Sequence, residues 1–323
     1  MSNRRKNSVL LVGVWANRGW VLGNLLRELN RRLGGFSSIW WVFSVFARKR
    51  RFEKYFRFPL PNFGSYFFSY LTIFESYVVK NPKKFENKSL VFYPHFDSEV
   101  GSFLHQAEIL NMSHAVYFMC KADAERLVLH GLKPEKVRIA YFGLDNDCIR
   151  IPSESKMQNT IVLASKYGPR KGLEILPEIV RNLPNWSFIA LGRDWEEFIA
   201  SSNLANLQNF EYMNFNRESR SIAMSRASTF LSLSRIEGGP VPLIEAMSMG
   251  LIPIATRTGF APDLIINAEN GYLLETEPSV ESVTAAIIGS ENITKDPSKA
   301  VKHLTWDRYS QMILRDHYEI IAR

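Results

Sequence analysis

Short, uninterrupted runs of apolar residues alternate along this chain with longer stretches in which apolar and polar residues are mixed. Such runs, of which Val9 to Val12 is the first, are typical of parallel strands buried on both faces, and the mixed stretches are typical of helices that cover the sheet. The pattern predicts strands near 9–14, 38–46, 89–94, 114–119, 137–142, 160–165, 187–191, 208–213, 229–233 and 252–256. It predicts helices near 20–33, 98–110, 121–130, 171–182, 217–226, 241–249 and 305–322.

The alternation of strands and helices occurs twice, and a polar stretch at 152–156 separates the two series. Two such series predict an α/β fold with two Rossmann-like domains. We place these domains at residues 1–152 and 153–303, and we expect a helix within 304–323 to pack back on the first domain. The segment 48–80, which begins basic and becomes aromatic, stays unassigned.

The composition is that of a globular protein, with 46% hydrophobic and 22% charged residues in a chain of 323. Charge is uneven, because residues 1–150 carry 23 Lys and Arg against 12 Asp and Glu, whereas the remainder carries 17 against 20. This excess predicts either a plain basic face or an acidic partner for the first half. The candidate partners are an anionic membrane, a phosphate-bearing acceptor and nucleic acid.

Targeting signals and disulfides are not expected. The chain has two cysteines, Cys120 and Cys148, which are too few for a disulfide framework. No secretory signal stands out, and the uncharged stretch from Phe58 to Phe74 is 17 residues long and broken by two prolines. We therefore expect a cytoplasmic protein, at most attached to the inner face of a membrane.

The segment Glu237–Gly250 combines a glycine turn with the start of a predicted helix, directly after the strand predicted at 229–233. Backbone N–H groups of the turn and the positive end of the helix dipole suit a diphosphate. Glu237 and Glu245, eight positions apart, can reach hydroxyl groups at the two ends of one elongated ligand. The alternative is a helix-capping acid followed by an exposed glutamate.

This segment resembles the E-x7-E signature of retaining glycosyltransferases of GT-B architecture, family 4 (glycosyl transferases group 1), including its ending Glu245–Gly250. The resemblance implies two Rossmann-like domains that face each other across a cleft. It implies a nucleotide-sugar donor, UDP- or GDP-linked, held mainly by the second half. Glu237 would then hold the sugar and Glu245 the ribose, while Gly238 and Gly239 let the backbone approach the donor.

A basic segment follows the strand predicted at 160–165 and contains Lys166, Arg170 and Lys171. Cations there would stabilise the charge that grows on a diphosphate leaving group, and the alternative is a solvated basic turn. The segment is similar to the family's basic pair. Lys171 matches the family lysine and Arg170 precedes it, but Lys166 stands where an arginine is usual and lacks the bidentate fork of a guanidinium.

Further matches are shorter. The turn Thr256–Asp263 resembles the family's glycine-rich turn, with Asp263 either a ligand contact or a helix N-cap, and Asn270-Gly271 resembles its Asn-Gly turn. His95, at a predicted strand end, is similar to the family histidine that faces the donor sugar, and an ordinary strand-end histidine is the alternative. Gly143–Asp145 matches the approach to the interdomain linker. Gly19 would let backbone approach a ligand in a loop that departs from the family form.

The resemblance implies sugar transfer with retention of anomeric configuration and without a cofactor or metal. An alternative interpretation, a metal site, rests on Asp145 and Asp147. The expected partners are the nucleotide-sugar and a glycan or lipid-linked acceptor, and the segment 48–74 suggests contact with an anionic membrane or, alternatively, a core-covering loop. A nucleotide-sugar 2-epimerase of the same architecture is the rival enzyme. A nucleic-acid-binding protein is the non-enzymatic rival, although no nucleic-acid motif is present.

Overall fold

A computed structural model describes residues 5–15, 21–42, 59–96, 100–144 and 158–323. The chain forms two compact units, one made of residues 1–143 and 304–323 and the other of residues 144–303. Each unit is built on its own six-stranded sheet, which confirms the expected α/β class with two Rossmann-like domains. The predicted boundary at 152/153 lies outside the described residues.

The sheet of the first unit is wholly parallel, in the order β2-β1-β3-β4-β5-β6. Its strands are β1 (Val9–Val14), β2 (Ser37–Val42), β3 (Ser65–Phe68), β4 (Ser89–Tyr93), β5 (Ala115–Phe118) and β6 (Val137–Ile139). Its helices are α1 (Val21–Leu33), α2 (Leu71–Val78), α3 (Pro82–Phe85), α4 (Phe103–Leu110) and α5 (Lys121–Leu129), and the C-terminal helix joins them. Parallel neighbours require crossover connections, and these helices supply them.

Strand β3 and helix α2 lie within the segment 48–80 that the sequence left unassigned, and helix α3 follows it directly. All four residues of β3 are buried. Their aromatic rings pack with the rings that follow, since Tyr66 meets Phe85 edge to face at 4.9 Å and Phe68 meets Phe74 at 5.5 Å. These aromatic contacts place this part of the segment in the hydrophobic core of the first unit.

The C-terminal helix, α13 (Trp306–Ile321), lies against the first unit through a buried carboxylate. Asp316 is fully buried and accepts hydrogen bonds from the guanidinium of Arg138, with Nε 3.1 Å and Nη2 3.1 Å from its oxygens. The hydroxyl of Tyr117 also donates to Asp316. Burial, and secondarily Asp316, raises the pKa of Tyr117 well above its ordinary value, so Tyr117 stays protonated as a donor.

Two further contacts locate this helix. Asp307 accepts a hydrogen bond from Arg32 of α1 at 2.8 Å. A Cβ atom at Gly143 would lie 2.3 Å from the backbone nitrogen of Trp306, so only glycine fits where the chain passes the start of α13. The match at Gly143–Asp145 therefore has a structural reason at its first residue, whereas Asp145 is outside the described residues.

The sheet of the second unit is also wholly parallel, in the order β12-β11-β10-β7-β8-β9. Its strands are β7 (Thr160–Ala164), β8 (Ser187–Gly192), β9 (Phe210–Asn214), β10 (Thr229–Ser232), β11 (Ile252–Thr256) and β12 (Tyr272–Leu274). Its helices are α6 (Leu176–Asn182), α7 (Glu196–Ser201), α8 (Arg217–Arg226), α9 (Val241–Ser248), α10 (Ala261–Leu264), α11 (Val280–Gly289) and α12 (Ser298–Val301).

Two predicted helices begin later than the periodicity suggested. The helix predicted over 171–182 is preceded by two short 3₁₀ turns, Pro169–Lys171 and Leu173–Ile175, and α6 starts only at Leu176. Gly172 between the turns is left-handed, with φ of +62°, which interrupts a helix. The helix predicted over 98–110 starts at Phe103, where Ser102 caps it by accepting the N–H of His105. The strand predicted to 46 is described as far as Val42.

Among the described residues, no helix combines the length and the apolar character needed to cross a bilayer.

Candidate functional site

The strand order of the second unit reverses between β7 and β10. Strands β8 and β9 follow β7 on one side, whereas β11 and β12 follow β10 on the other. The loops that leave the carboxyl ends of β7 and β10 are therefore neighbours at this reversal, which is where open parallel sheets bind ligands. These two loops are the basic segment and the glycine turn that the sequence singled out.

The glycine turn joins β10 to α9. Glu237, Gly238 and Gly239 lead into α9, whose N-cap residue, Pro240, has extended backbone and makes no side-chain capping bond. Within the part of the chain that the structure describes, the N–H groups of Gly238 and Gly239 have no hydrogen-bond acceptor. They lie at the positive end of a helix dipole, so they are available to an anion such as a diphosphate.

The basic turn after β7 packs closely against the end of β10. A Cβ atom at Gly172 would lie 2.2 Å from the carbonyl oxygen of Leu233, so the close approach requires glycine. From this turn Nζ of Lys171 forms an ion pair with Oε1 of Glu237, and both side chains are largely buried. The structure thus brings together Lys171 and Glu237, which the resemblance assigned to the diphosphate and the sugar of one donor.

Arg235 braces the same turn, and sequence reasoning missed it. Its backbone N–H donates to the carbonyl of Arg170 at 2.8 Å, and its Nη1 donates to the carbonyl of Pro169 at 2.8 Å. Its guanidinium also pairs with Glu174. Arg235 stands two positions before Glu237, and that spacing was the one signal that could have drawn attention to it. These bonds fix the position of the turn that carries Lys171 relative to Glu237.

Glu245 lies inside α9 and is only 8% exposed. Its Oε1 accepts a hydrogen bond from Nη1 of Arg220 at 2.7 Å, from helix α8. Arg220 was not predicted, because nothing in the pattern of α8 distinguishes it from Arg217 or Arg226 on the same helix. The alternative of an exposed glutamate at 245 is wrong.

Lys166 and Arg170 have exposed positions. Nζ of Lys166 lies 2.7 Å from Oδ2 of Asp194, whose side chain is also exposed. Of the three basic residues predicted here, the structure pairs only Lys171 with a residue of the glycine turn. Arg170 contributes its backbone carbonyl to the bond with Arg235.

The turn after β11 abuts the glycine turn. Gly259 has a left-handed φ of +52°, and a Cβ atom there would lie 2.8 Å from the carbonyl oxygen of Gly238. Asp263 is in the first turn of α10, and the N-cap residue of that helix is Phe260, so Asp263 is not the cap. Asn270 is buried and ties its own loop together, with Oδ1 accepting the N–H of Ile266 at 2.7 Å.

His95 is the only predicted site residue of the first unit that lies within the described residues. It is exposed, two residues beyond β4, and its Nδ1 donates to the carbonyl oxygen of Phe96 at 2.8 Å. Burial raises the pKa of the neighbouring Asp123, with His95 among the charges that oppose this shift. Gly19, Asp145 and Asp147 lie outside the described residues.

One group of His, Asp and Glu side chains within the described ranges has the spacing of metal ligands, with ligand atoms of His114, Asp316 and Glu319 within 4.8 Å of one another. It lies in the first unit. Both oxygens of Asp316 already accept hydrogen bonds from Arg138 and Tyr117. The adjacent guanidinium makes this group a structural ion-pair network that does not suit a cation.

Comparison with protein families gives a match in the second half of the chain. Residues 146–303 match the model of the family described as "Glycosyl transferases group 1". The match covers the glycine turn, the basic turn and the turn after β11, so it covers every predicted site residue of the second unit.

Curated relatives are distant. Over 209 residues the chain is 24% identical to one of the subunits of human phosphatidylinositol N-acetylglucosaminyltransferase, covering 62% of this chain and 42% of that protein. It is 24% identical over 173 residues to GDP-mannose:cellobiosyl-diphosphopolyprenol alpha-mannosyltransferase of Xanthomonas oryzae, covering 49% of this chain and 45% of that protein. The chain thus spans less than half the length of these relatives.

Solved structures share the fold over nearly the whole chain. HepE of Anabaena, crystallised with UDP and glucose, has a TM-score of 0.73 at 12% identity, covering 95% of this chain and 98% of that one. Sucrose-phosphate synthase of Thermosynechococcus elongatus has a TM-score of 0.75 at 14% identity, covering 98% and 99%. The predicted GT-B fold is therefore confirmed.

Proposed function

We propose that the protein transfers a sugar from a nucleotide-sugar to an acceptor, starting from the match of residues 146–303 to the glycosyl transferases group 1 family. The observation that carries the proposal is the ion pair of Lys171 with Glu237 beside the Gly238-Gly239 turn, at the switch point of the second sheet. A cation, a carboxylate and two N–H groups there match a diphosphate joined to a hydroxyl-bearing sugar.

Within this proposal each group has one role. Lys171 and the N–H groups of Gly238 and Gly239 bind the diphosphate, Glu237 accepts hydrogen bonds from the sugar, and Glu245 accepts them from the ribose. The charge of Lys171 stabilises the diphosphate as it leaves, which is the dominant kind of stabilisation for such a step. The donor nucleotide is UDP or GDP. HepE was crystallised with UDP and the Xanthomonas mannosyltransferase is named for GDP-mannose, and both support this choice.

The acceptor is a lipid-linked molecule that carries phosphate. The names of both curated relatives include such a lipid, a phosphatidylinositol in one and a diphosphopolyprenol in the other. The excess of 23 basic over 12 acidic residues within 1–150 supports an anionic partner and attachment to an anionic membrane face.

The transfer retains the anomeric configuration and needs no metal ion, since Lys171 supplies positive charge at the leaving group. Two measurements check these points. The anomeric proton of the product, followed by NMR from the first turnover, must show the configuration of the donor. Activity must persist in EDTA, and a loss that Mg²⁺ restores would contradict metal independence.

The test of the function itself is a thermal-shift screen against UDP-, GDP-, ADP- and dTDP-sugars, repeated with Glu245→Ala. One nucleotide class is expected to raise the melting temperature of the wild-type protein, and less so that of the variant. Conversion of the donor without acceptor would favour an epimerase. Salt-dependent DNA binding without nucleotide binding would favour the nucleic-acid alternative.

A further inference from the structure

We propose that Arg220 is a positioning residue for Glu245, one that sets recognition of the donor ribose. This inference rests on the proposed function, because it concerns the carboxylate that we assign to the ribose. It adds to that function a residue that lies outside the signature segment and that neither the motif nor its spacing indicates.

The burial of Glu245 is the first step. Its side chain points from the middle of α9 into a region where only 8% of the residue remains exposed. A carboxylate removed from water to this degree stays ionised only with a compensating charge or hydrogen bonds. Arg220 provides both, because its Nη1 lies 2.7 Å from Oε1 of Glu245.

Arg220 is a cationic partner that lies close to Glu245 and is shielded from water. Helix α9 packs on strands β10 and β11 and on helix α12. The two strands carry no ionisable side chain, and the lysine of α12, Lys299, is exposed. An exposed ammonium is screened by water, whereas the guanidinium of Arg220 is largely withdrawn from solvent beside the carboxylate.

The start of α8 fixes the backbone of Arg220. Asn216 and Ser219 form a capping box, in which each side chain accepts the other's backbone N–H at 2.8 Å. The hydroxyl of Ser219 also donates to the carbonyl of Asn214 at the end of β9, at 2.7 Å. Arg220 is the next residue, and its N–H donates to the carbonyl of Asn216 at 3.0 Å. The guanidinium therefore extends from a turn that is anchored to the sheet.

The contact with Arg220 fixes the direction of the Glu245 carboxylate and also compensates its charge. A carboxylate held by a guanidinium on one oxygen presents its remaining lone pairs in a defined direction, and ribose hydroxyls need such an acceptor at a fixed place. Without Arg220 the buried carboxylate would lose the donor that fixes its direction, and it would accept hydrogen bonds from the ribose less well. Loss of Arg220 should therefore reduce the part of nucleotide binding that depends on the ribose hydroxyls.

The experiment is calorimetric titration with UDP, GDP and their 2′,3′-dideoxy analogues. The wild-type protein is expected to bind one nucleotide and to bind its dideoxy analogue at least about tenfold more weakly. Arg220→Met should bring the ratio of the two Kd values towards one, and Arg220→Lys should restore part of it. On a Glu245→Gln background, Arg220→Met should change the ratio by less than about twofold, since the two residues act as one unit.

The matched control is Arg226→Met, on the same helix. Arg226 pairs with Glu211 at 2.7 Å in a more exposed position, so its loss should leave both Kd values unchanged. Where Arg220→Met lowers the melting temperature below the range of the titration, Arg220→Gln removes the charge while keeping a donor. Arg220→Gln should likewise bring the ratio of the two Kd values towards one.

The outcomes separate the two claims. A wild-type protein that binds neither nucleotide would overturn the proposed function and this inference together. A wild-type protein that binds, with a dideoxy ratio that Arg220→Met leaves unchanged, would overturn the inference alone. Equal weakening of both ligands by Arg220→Met would likewise overturn it, because that is the signature of a general structural defect.

Discussion

Lys171 and Glu237, which are 66 positions apart in the sequence, form an ion pair that joins the turn after β7 to the turn after β10. Both are assigned to the donor, one to its diphosphate and one to its sugar. In the free protein each satisfies the other, which keeps two largely buried charges compensated. Under the proposed function, donor binding exchanges this contact for contacts with phosphate and sugar hydroxyls.

Replacing Lys171 by methionine should lower kcat with the correct donor about 100-fold or more, because it removes a charge aimed at the leaving group. Initial rates of nucleotide release, measured with saturating acceptor, check this. Lys166→Met is the matched control. Lys166 pairs with Asp194 in an exposed position, so we expect a change of only a few fold, and equal losses in both variants would argue against the separate role of Lys171.

Gly259→Ala should weaken nucleotide binding and destabilise the second unit by more than its left-handed backbone alone requires. The conformation itself costs about 1 kcal/mol for a residue with a Cβ atom, and here the Cβ would also press on Gly238 at 2.8 Å. Gly34→Ala isolates the first cost, since Gly34 has φ of +53° and no described atom lies within 4 Å of its would-be Cβ. Urea denaturation and calorimetry of both variants make the comparison, and identical behaviour would contradict a role for the close approach.

Asp316→Asn should destabilise the first unit by about 3 kcal/mol, because it leaves Arg138 without its buried counter-charge. Asp307→Asn on the same helix is the control. Asp307 is 78% exposed where it meets Arg32, and the loss of an exposed pair costs about 1 kcal/mol or less. The shift of the urea midpoint measures both, and a smaller loss for Asp316→Asn than for Asp307→Asn would refute the anchoring role of the buried carboxylate.

The first unit should lose stability as the solution is acidified below about pH 6.5, the ordinary pKa of histidine. Burial lowers the pKa of His317, against an opposing effect of the Asn7 backbone, and burial also lowers the pKa of His114, against Asp316. Each histidine then binds its proton less readily in the folded than in the unfolded state. Unfolding therefore takes up protons, and the free energy of unfolding falls as the pH falls from 6.5 towards the lowered pKa values.

Urea denaturation at several pH values tests this. The unfolding transition of the first unit is identified as the one that Asp316→Asn shifts, and its midpoint is followed with pH. His317→Asn retains a partner for Ser65, which lies 2.8 Å from the ring, and removes one titrating group. Its stability should depend less steeply on pH between about 5 and 6.5. An unchanged slope would show that His317 does not contribute.

The sequence by itself determined the elements that depend on local pattern. Strands such as β1 and β11 have the bounds that the pattern predicted, because a strand buried on both faces must be a continuous apolar run. Helix α8 spans the predicted residues, since its cap residues also act locally. The glycine turn before α9 was predictable for the same reason, and its resemblance to a family signature supplied its proposed chemistry.

Only the tertiary structure decided which charges meet. Arg220 pairs with Glu245 across 25 positions and Lys171 with Glu237 across 66, and no periodicity encodes such distances. Glycine at position 172, where the predicted helix is interrupted, is likewise required by the carbonyl of Leu233, the residue after β10. The contacts of Lys171 and Gly172 exist because β7 and β10 are neighbours where the strand order reverses, which places two remote loops at one edge of the sheet. Arg220 reaches Glu245 from helix α8. Pairing of buried charges depends on proximity in space, and proximity is set by the topology of the sheet rather than by neighbours along the chain.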